Sequence, residues 1–261
     1  MSNNSILLKI ENKVAYITLN RPEVFNSFNR EMAFNLHETL DACEKSNEVR
    51  AIVLTGNGKA FCAGQDLKEV TDPDLNPGFK KILEEHYNPI ITRLRAIKKP
   101  IIAAVNGVAA GAGANIALAC DIVIAHEKVS FIQAFSLIGL VPDSAGTFFL
   151  PRLIGFQKAL ALAMLGDKIS AEEAEKMGMI YKMVPLENFD TDVNTLALKL
   201  ANMPTKALGL IKELFNKSMT NDLESQLALE SKLQIEAAQS SDYAEGVAAF
   251  IEKRKPNFKG N

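Results

Sequence analysis

An uncharged run of 21 residues, at positions 100–120, constrains this chain more than any other feature. It reads PIIAAVNGVAAGAGANIALAC and contains no ionisable side chain except the thiol of Cys120. A run of this length is sufficient to cross a bilayer, since about 20 apolar residues span the hydrocarbon core as a helix. It also contains Gly107 and Gly111 at the spacing that transmembrane helix pairs use for close packing.

The residue types in this run nevertheless favour burial inside a protein over a membrane span. Asn106 and Asn115 would each place an amide group in hydrocarbon, and the many glycines and alanines contribute little transfer energy. Pro100, followed by Asn106 and Gly107, is typical of a strand that ends in a turn. We therefore expect a buried segment whose small residues let the backbone approach a neighbouring group closely.

The composition is that of an ordinary globular protein. The chain has 261 residues, 29 Lys and Arg against 31 Asp and Glu, and 48% hydrophobic residues. This length allows one large domain or two small ones with a sizeable core. The formal charge of −2 is atypical of a nucleic-acid binder. Residues 1–13 show no targeting pattern, so we expect a cytoplasmic protein that binds neither nucleic acid nor membrane.

Cysteines and histidines are few and scattered. The three cysteines form no paired motif, which fits a reducing compartment, and the three histidines show no zinc-ligand spacing. We therefore expect neither a disulfide framework nor a bound metal. The cysteines are Cys43, Cys62 and Cys120.

Strand and helix patterns alternate through the first half of the chain, which predicts an α/β fold with a buried sheet. Asn29 is expected to cap a helix whose apolar residues form one stripe. Residues 71–79 combine two prolines, a glycine and two aspartates, which predicts a loop that covers a site. Strands are predicted at 7–10, 14–19, 51–55, 101–105 and 121–125, with a helix near 114–120.

Beyond residue 150 the pattern becomes mainly helical. Ser170 and Glu173 form a capping-box pattern, which predicts a helix start. We expect residues 1–199 to form the core and residues 200–261 to form a helical region that serves assembly. The alternative is a helical layer of the same monomer. Further helix starts are expected at Pro204, Asp222 and Ser241.

Common catalytic and nucleotide motifs are absent. A dinucleotide fingerprint that starts at Gly111 and Gly113 would need a third glycine where the chain has Ile116, and no Gly-Lys-Ser/Thr sequence is present. The segment around Ser144 lacks the glycine two residues before a nucleophilic serine, and no histidine follows it.

Two segments, 61–66 and 107–113, each follow a predicted strand and lead toward a helix. Each is therefore expected to offer unbonded N–H groups at the start of a helix. Two such groups aimed at one carbonyl oxygen would stabilise an enolate. From spacing alone, two tight turns whose glycines only relieve packing are the simpler interpretation.

Ordered motifs along almost the whole chain resemble those of one protein family. They are LNRP at 19–22, NSF at 26–28, FCAGQD at 61–66, KPIIAAVNG at 99–107, SAEEAEKMG at 170–178 and AFIEKRK at 249–255. Together they resemble the enoyl-CoA hydratase/isomerase, or crotonase, superfamily. The resemblance implies a spiral of ββα units with a C-terminal helical trimerisation region. It also implies a trimer or a dimer of trimers that binds acyl-CoA and stabilises a thioester enolate.

Site residues follow from the same resemblance, position by position. It assigns the N–H groups of Gln65 and Ala112 to the thioester oxygen. Lys253 is implied beside the CoA phosphates, where a cation is favourable, although a solvated helix end is the alternative. Coenzyme A would enter as part of the substrate, with no tightly bound cofactor. The implied substrate contacts are Val24, Ala63, Asp66 and Leu67, with Phe250 and Lys253 reaching across from a neighbouring subunit.

The resemblance does not extend to the water-activating groups of the hydratases. Hydratases of the superfamily use two glutamates, whose positions correspond here to Asn115 and Phe135. An amide cannot take a proton at neutral pH, and a phenyl ring can neither take a proton nor orient a water. We therefore expect Asn115 and Phe135 to contact substrate without activating water.

Asp143 lies where some isomerases and dehalogenases of the superfamily carry a catalytic aspartate. An apolar neighbour such as Phe135 would raise the pKa of this carboxyl and strengthen it as a base. We expect Asp143 to shift a double bond, or to rearrange a ring epoxide, through an enolate held by Gln65 and Ala112. An aspartate that follows a proline is also typical of a helix cap.

Two other functions stay open on the sequence. One is a 2-enoyl-CoA hydratase of the fatty acid β-oxidation type, and the other is a non-catalytic acyl-CoA-binding member of the superfamily. His86 is expected at the surface, with proton handling in the pocket as the alternative.

Overall fold

Strands of this chain alternate between two sheets. The computed structural model describes residues 5–261, and the prediction for the extreme N-terminus therefore falls partly outside the described residues. The strands are β1 Ile6–Glu11, β2 Val14–Leu19, β3 Ala51–Gly56, β4 Ala60–Cys62, β5 Ile101–Val105, β6 Val108–Ala110, β7 Ile122–His126, β8 Ser130–Ile132, β9 Lys168–Ser170 and β10 Lys182–Val184.

The helices surround these sheets and dominate the C-terminal third. A π-helical segment, Ile82–Tyr87, joins α3 to α4. The helices are α1 Arg30–Lys45, α2 Leu67–Thr71, α3 Phe79–Lys81, α4 Asn88–Ala96, α5 Ala112–Leu118, α6 Gly146–Ile154, α7 Phe156–Leu165, α8 Ala171–Lys176, α9 Phe189–Ala201, α10 Thr205–Ser218, α11 Leu223–Ala238 and α12 Ser241–Ile251.

The larger sheet has the strand order β1-β2-β3-β5-β7-β10, and the smaller one has the order β4-β6-β8-β9. Only β1 against β2 and β8 against β9 are antiparallel. Along the chain, β3 leads to β4, β5 to β6 and β7 to β8, and helical segments follow each pair. Each turn of the chain thus adds one strand to each sheet, which is the expected spiral of ββα units.

The uncharged run is buried because β5 is covered on both faces. Ile101 and Ala103 pack into the main core, while Ile102 and Ala104 face a second apolar cluster beneath α9. A parallel strand buried on both faces has no position for a charged side chain. Among the described residues, no helix has both the length and the apolar character that a membrane crossing requires.

The second half of the run differs from the prediction in two ways. The glycine-rich turn contains an additional short strand, β6, and α5 begins at Ala112 rather than near residue 114. Gly111 adopts a φ of 53°, which turns the chain directly from the strand into the helix. The earlier helix start makes Ala112 its first residue.

Predicted helix starts are confirmed by their caps. The Oδ1 of Asn29 accepts the N–H of Met32 over 3.0 Å at the start of α1. Ser170 and Glu173 form the predicted capping box, and Asp222 caps α11. Ser240, one residue before the predicted start, caps α12.

The C-terminal helices are tied to the sheets. The expected boundary at residue 199 falls inside α9, which packs against the larger sheet through residues such as Phe189 and Val193. On α10, the buried Nζ of Lys212 donates to Asp121 Oδ2 over 2.8 Å. Two short strands, β9 and β10, also lie beyond residue 150, where the sequence predicts a mainly helical region.

Candidate active site

Three loops converge at one edge of the smaller sheet. Strands β4, β6 and β8 run parallel, so their carboxyl ends meet at the same edge. The segments that leave these ends are 63–66, 111–112 and 133–135. Both glycine-containing segments singled out in the sequence therefore lie side by side.

The N–H of Gln65 is directed by the peptide that carries it. The carbonyl of Gly64 accepts the N–H of Phe28 over 2.7 Å. In a trans peptide the N–H points opposite to the carbonyl, so the N–H of Gln65 points away from Phe28. Within residues 5–261 this N–H has no hydrogen-bond partner. It is available to a ligand.

The N–H of Ala112 is available for a different reason. Ala112 is the first residue of α5, and the first N–H groups of a helix have no acceptor within it. The preceding N–H, of Gly111, donates to the carbonyl of Ile132 over 2.9 Å, which ties this turn to β8. In the described part of the chain, nothing accepts from Ala112 N–H.

Glycines allow the two loops to approach each other. A Cβ on Gly113 would lie 2.3 Å from the carbonyl oxygen of Cys62, a distance that no real contact permits. A Cβ on Gly64 would lie 3.1 Å from the carbonyl oxygen of Ala110 and 3.6 Å from Ala112 N. Close backbone packing, rather than turn formation alone, therefore accounts for both glycines.

A cavity of about 550 Å³ lies against these loops. Its walls are mostly apolar, and it has the size of a small-molecule site. It lies beside both free N–H groups, because Gln65 and Ala112 line it together with Asp143. Other expected contacts that line it are Val24, Ala63, Asp66, Leu67 and Phe135.

Asp143 enters the cavity from the loop before α6. Its side chain accepts one hydrogen bond, from the Ser144 hydroxyl over 2.8 Å, and among the described residues it has no cationic partner. Burial raises the pKa of the Asp143 carboxyl, and the bond from Ser144 partly offsets this shift. The helix-cap interpretation is wrong, because the N-cap position of α6 is Ala145 and no N–H group at the start of this helix donates to the Asp143 side chain.

The loop that carries Asp143 is held in an unusual conformation. Ser144 and Ala145 both have positive φ, at 50° and 59°. Such values cost non-glycine residues roughly 1–3 kcal/mol each and persist where the surroundings impose them. The N–H of Gly146 donates to the carbonyl of Asp143 over 2.9 Å and closes the turn.

The side chain of Asn115 lies behind the cavity wall rather than on it. Asn115 is buried in α5, and its Nδ2 donates to the carbonyl oxygen of Asp143 over 2.8 Å. Its Oδ1 accepts from Gln133 Nε2 over 2.9 Å. This side chain thus contacts the loop of the acidic residue, and its expected contact with substrate stays a prediction. A Cβ on Gly146 would lie 2.3 Å from Asn115 Nδ2, so this contact also needs a glycine.

Asp66, the other acidic residue on the cavity, is already neutralised. Its Oδ2 accepts from Arg21 Nη2 over 2.7 Å, and its Oδ1 accepts the N–H of Lys68 at the start of α2. Asp143 is therefore the cavity carboxylate that is left without a counter-charge.

Three expected positions lie away from this cavity. Phe250 and Lys253 are exposed near the end of α12, and their expected contribution to a neighbouring subunit stays a prediction. His86 is 1% exposed, so its expected surface position is wrong. It packs edge-on against Phe34, and its carbonyl contacts His37 Nε2 at 2.9 Å. Burial lowers the pKa of His86.

Three side chains of the site were not identified from the sequence. Tyr87 lines the cavity from the π-helical segment, Glu69 contacts the side chain of Gln65, and Gln133 supports Asn115. None belongs to a recognisable motif. Glu69, which lies four residues after Gln65 in the printed sequence, is the one whose spacing could have indicated a local pair.

Solved structures share this arrangement of strands and helices. An enoyl-CoA hydratase from Bacillus anthracis superposes with a TM-score of 0.91 over 98% of this chain and 100% of that chain, at 33% identity. A second structure, of a Geobacillus kaustophilus enoyl-CoA hydratase subunit, superposes with a TM-score of 0.91 over 98% of both chains, at 36% identity. The molecule thus has the crotonase fold.

Sequence comparison agrees with the fold. The family model for enoyl-CoA hydratase/isomerase matches residues 9–261. The chain is 48% identical to 1,2-epoxyphenylacetyl-CoA isomerase of Escherichia coli K12, over 98% of both proteins. It is 46% identical, over 100% of both proteins, to a Rhodobacter capsulatus protein with the name "Probable enoyl-CoA hydratase". The chain belongs to the enoyl-CoA hydratase/isomerase family.

Proposed function

We propose that this protein is an acyl-CoA isomerase with Asp143 as its single base. One observation carries the proposal: Asp143 is the unneutralised carboxylate of a cavity that also presents the N–H groups of Gln65 and Ala112. The positions of the two hydratase glutamates hold Asn115 and Phe135, and neither side chain can activate a water.

The proposed reaction moves one proton within the acyl chain. With a 3-enoyl-CoA, Asp143 takes a proton from carbon 2, and the electron pair of that C–H bond passes to the thioester oxygen as a dienolate. The N–H groups of Gln65 and Ala112 stabilise this oxygen, each by roughly 2.7–4 kcal/mol by analogy with acyl transfer. The protonated Asp143 then returns the proton to carbon 4, which gives the 2-enoyl-CoA.

The environment of Asp143 suits this role. Burial raises the pKa of its carboxyl, so it is a stronger base than an exposed aspartate. The hydrogen bond from Ser144 lowers the pKa of the same carboxyl and so favours the ionised form that a base requires. Burial thus strengthens the proposed base, and the hydrogen bond from Ser144 stabilises its charge.

The acyl group is proposed to include a ring epoxide. This rests on the Escherichia coli relative, whose name specifies 1,2-epoxyphenylacetyl-CoA, and on a cavity wall in which Phe135 and Leu140 supply apolar surface. Coenzyme A would be part of the substrate, with no tightly bound cofactor. Simple 3-enoyl-CoA thioesters test the same base and are the first substrates to try.

Assembly is a separate part of the proposal. We propose a homotrimer or a dimer of trimers in which Phe250 and Lys253 reach the acyl-CoA of a neighbouring subunit. Support comes from the apolar side chains that α11 and α12 leave exposed, among them Leu223, Ile235 and Phe250. Sedimentation that shows a stable monomer would remove this part of the proposal.

The decisive experiment supplies purified protein with a 3-enoyl-CoA and a 2-enoyl-CoA in parallel. Wild type is expected to interconvert them, and Asp143→Asn is expected to lose about 10²- to 10⁴-fold in rate, as for removal of a general base. Asp167→Asn, at an exposed position away from the cavity, is the matched control and should retain full rate.

Other outcomes identify the competing functions. Isomerisation by Asp143→Asn at the wild-type rate would show that another group is the base. Rapid hydration of the 2-enoyl-CoA by wild type would favour the hydratase named for the Rhodobacter relative. Turnover of neither thioester, and then none of the ring epoxide, would leave a non-catalytic acyl-CoA-binding protein.

A further inference from the structure

Both polar atoms of the Gln65 side-chain amide form hydrogen bonds, although the proposed contact of Gln65 with the thioester oxygen uses its main-chain N–H. Its Oε1 accepts the hydroxyl of Tyr87 over 3.0 Å. Its Nε2 donates to Glu69 Oε2 over 2.7 Å. We refer to the side chains of Tyr87, Gln65 and Glu69 as the Gln65 clamp.

Both partners of Gln65 are themselves buried and in contact with the helix and loop around Phe28 and Arg30. Glu69 is buried in α2, and its other oxygen, Oε1, accepts the main-chain N–H of Arg30 over 2.7 Å. Tyr87 is 1% exposed, and its ring packs edge-on against Phe28 with centroids 5.9 Å apart. Phe28 is also the residue whose N–H fixes the Gly64 carbonyl.

The Gln65 amide has one orientation in which both of its hydrogen bonds can form. Burial raises the pKa of Tyr87 well above its ordinary value, and the carboxylate of Asp143 adds to this shift. The Tyr87 hydroxyl therefore keeps its proton and acts as a donor. Both oxygens of Glu69 accept, from Gln65 Nε2 and from the N–H of Arg30, so the Gln65 amide is held with its oxygen toward Tyr87 and its nitrogen toward Glu69.

A free glutamine at this position would interfere with the proposed reaction. Its side chain has several rotamers, and ordering a glutamine costs up to about 2 kcal/mol of conformational entropy. Gln65 lines the cavity, so an amide without these two partners would have access to the space in front of its own N–H. Its oxygen would then repel an enolate, and motion of the side chain would be transmitted to the peptide that donates.

We infer that Tyr87 and Glu69 are positioning residues that keep the Gln65 N–H aimed at the thioester oxygen by immobilising the Gln65 side chain. This inference rests on the proposed function, because it assigns that N–H to the substrate oxygen. Neither side chain takes a proton from the substrate. Their effect passes through Gln65 and therefore disappears when the Gln65 amide is removed.

A double-mutant cycle tests this dependence. Tyr87→Phe is measured in wild type and in the Gln65→Leu background, with Tyr181→Phe, an exposed tyrosine away from the cavity, as the matched control. In wild type, kcat should fall about tenfold, as expected for one positioning hydrogen bond, with KM changed less than twofold. In the Gln65→Leu background, the same substitution should change kcat less than twofold.

A second measurement reports on the donor without turnover. Acetyl-CoA labelled with ¹³C at the thioester carbonyl is bound to each variant, and the carbonyl stretch is recorded by difference infrared spectroscopy. In wild type, the two N–H groups should lower the stretching frequency relative to free acetyl-CoA. Tyr87→Phe and Glu69→Gln should each return it part of the way, whereas Tyr181→Phe should not move it.

Equal losses of kcat in the two backgrounds, or a carbonyl stretch that Tyr87→Phe leaves unchanged, would overturn the inference. A structural role alone would lower the thermal midpoint without moving the carbonyl stretch. Wild-type protein that isomerises neither an enoyl-CoA nor the ring epoxide would overturn the proposed reaction instead. The infrared result still decides the role of the Gln65 clamp in that case.

Discussion

The side-chain amide of Asn115 donates to the main-chain carbonyl of Asp143 over 2.8 Å. This bond joins the first helix after β6 to the loop that carries the proposed base. The same helix begins with Ala112, whose N–H is a proposed oxyanion donor. The base and one donor are thus linked through a single buried side chain, within one turn of helix.

Asn115→Asp is expected to disturb the base without removing it. The carboxylate would face the Asp143 carbonyl with no proton to donate, and removal of one partner from a buried hydrogen bond costs about 1–3 kcal/mol. We expect kcat to fall and thermal stability to drop together. Steady-state kinetics with a 3-enoyl-CoA and thermal unfolding measure the two effects. Unchanged values of both would show that the Asp143 loop does not need this contact.

Asp143→Asn is expected to raise stability while it lowers activity. Burial raises the folded-state pKa of Asp143 above its unfolded value, so the folded protein binds the proton more readily. The group's favourable contribution is therefore present below the unfolded pKa and is lost as pH rises through the folded pKa. At neutral pH the buried carboxylate is a net cost, which the neutral asparagine removes.

Thermal unfolding at neutral pH and at pH 4 checks this expectation. The midpoint of Asp143→Asn should exceed that of wild type at neutral pH, and the gap should narrow as the pH falls toward 4. Asp167→Asn, at an exposed site, should show neither effect. A lower midpoint for Asp143→Asn at neutral pH would contradict the destabilising role of the carboxylate.

The pH dependence of the reaction should report on the same group. The rate requires ionised Asp143, so kcat/KM should fall on the acid side, with a midpoint above the value near 3.8 of an unperturbed aspartate. Ser144→Ala removes the hydrogen bond that lowers this pKa, and it should move the acid limb to higher pH. An acid limb that Ser144→Ala does not shift would assign the titration to another group.

Gly113→Ala is expected to separate the two loops of the site. Its methyl group would meet the Cys62 carbonyl at 2.3 Å, which the backbone cannot accommodate without moving. Overpacking of this kind costs typically 1–3 kcal/mol, and the displacement should also lower kcat.

The matched control is Gly246→Ala in α12, where the nearest atom would be 3.5 Å away. There we expect no loss, and a gain of up to about 1 kcal/mol from helix propensity. Equal stabilities for the two variants in urea denaturation would argue against the close contact.

Patterns within a few neighbouring residues correctly predicted helix starts and the buried strand β5. Asn29 and Asp222 cap helices because a side chain of that type accepts an N–H two or three residues later, wherever the chain lies. The continuous apolar pattern of β5 predicted a buried strand, and burial on both faces explains why no polar residue interrupts it. These predictions needed no knowledge of distant contacts.

The sequence was less informative where contacts between residues far apart in the chain determine the position of a side chain. His86 looks like a surface residue because charged residues precede it, yet the π-helical segment turns it inward against Phe34. The bond of Asn115 Nδ2 to the Asp143 carbonyl likewise joins residues far apart in sequence, and the small size of Gly146 leaves room for the amide. The partners of Gln65 are similarly set by tertiary contacts. Tyr87 lies 22 residues from Gln65 along the chain.

Both proposed oxyanion donors are main-chain groups, and this has a consequence for how such a protein changes over generations. Every residue type except proline supplies the same N–H, so most substitutions at positions 65 and 112 leave the donor in place. The proposed stabilisation of a thioester enolate is therefore retained through most substitutions at these two positions. The proposed proton acceptor, in contrast, depends on one side chain. A single codon change at Asp143 would redirect or silence the reaction while the apparatus that binds and polarises the thioester survives intact.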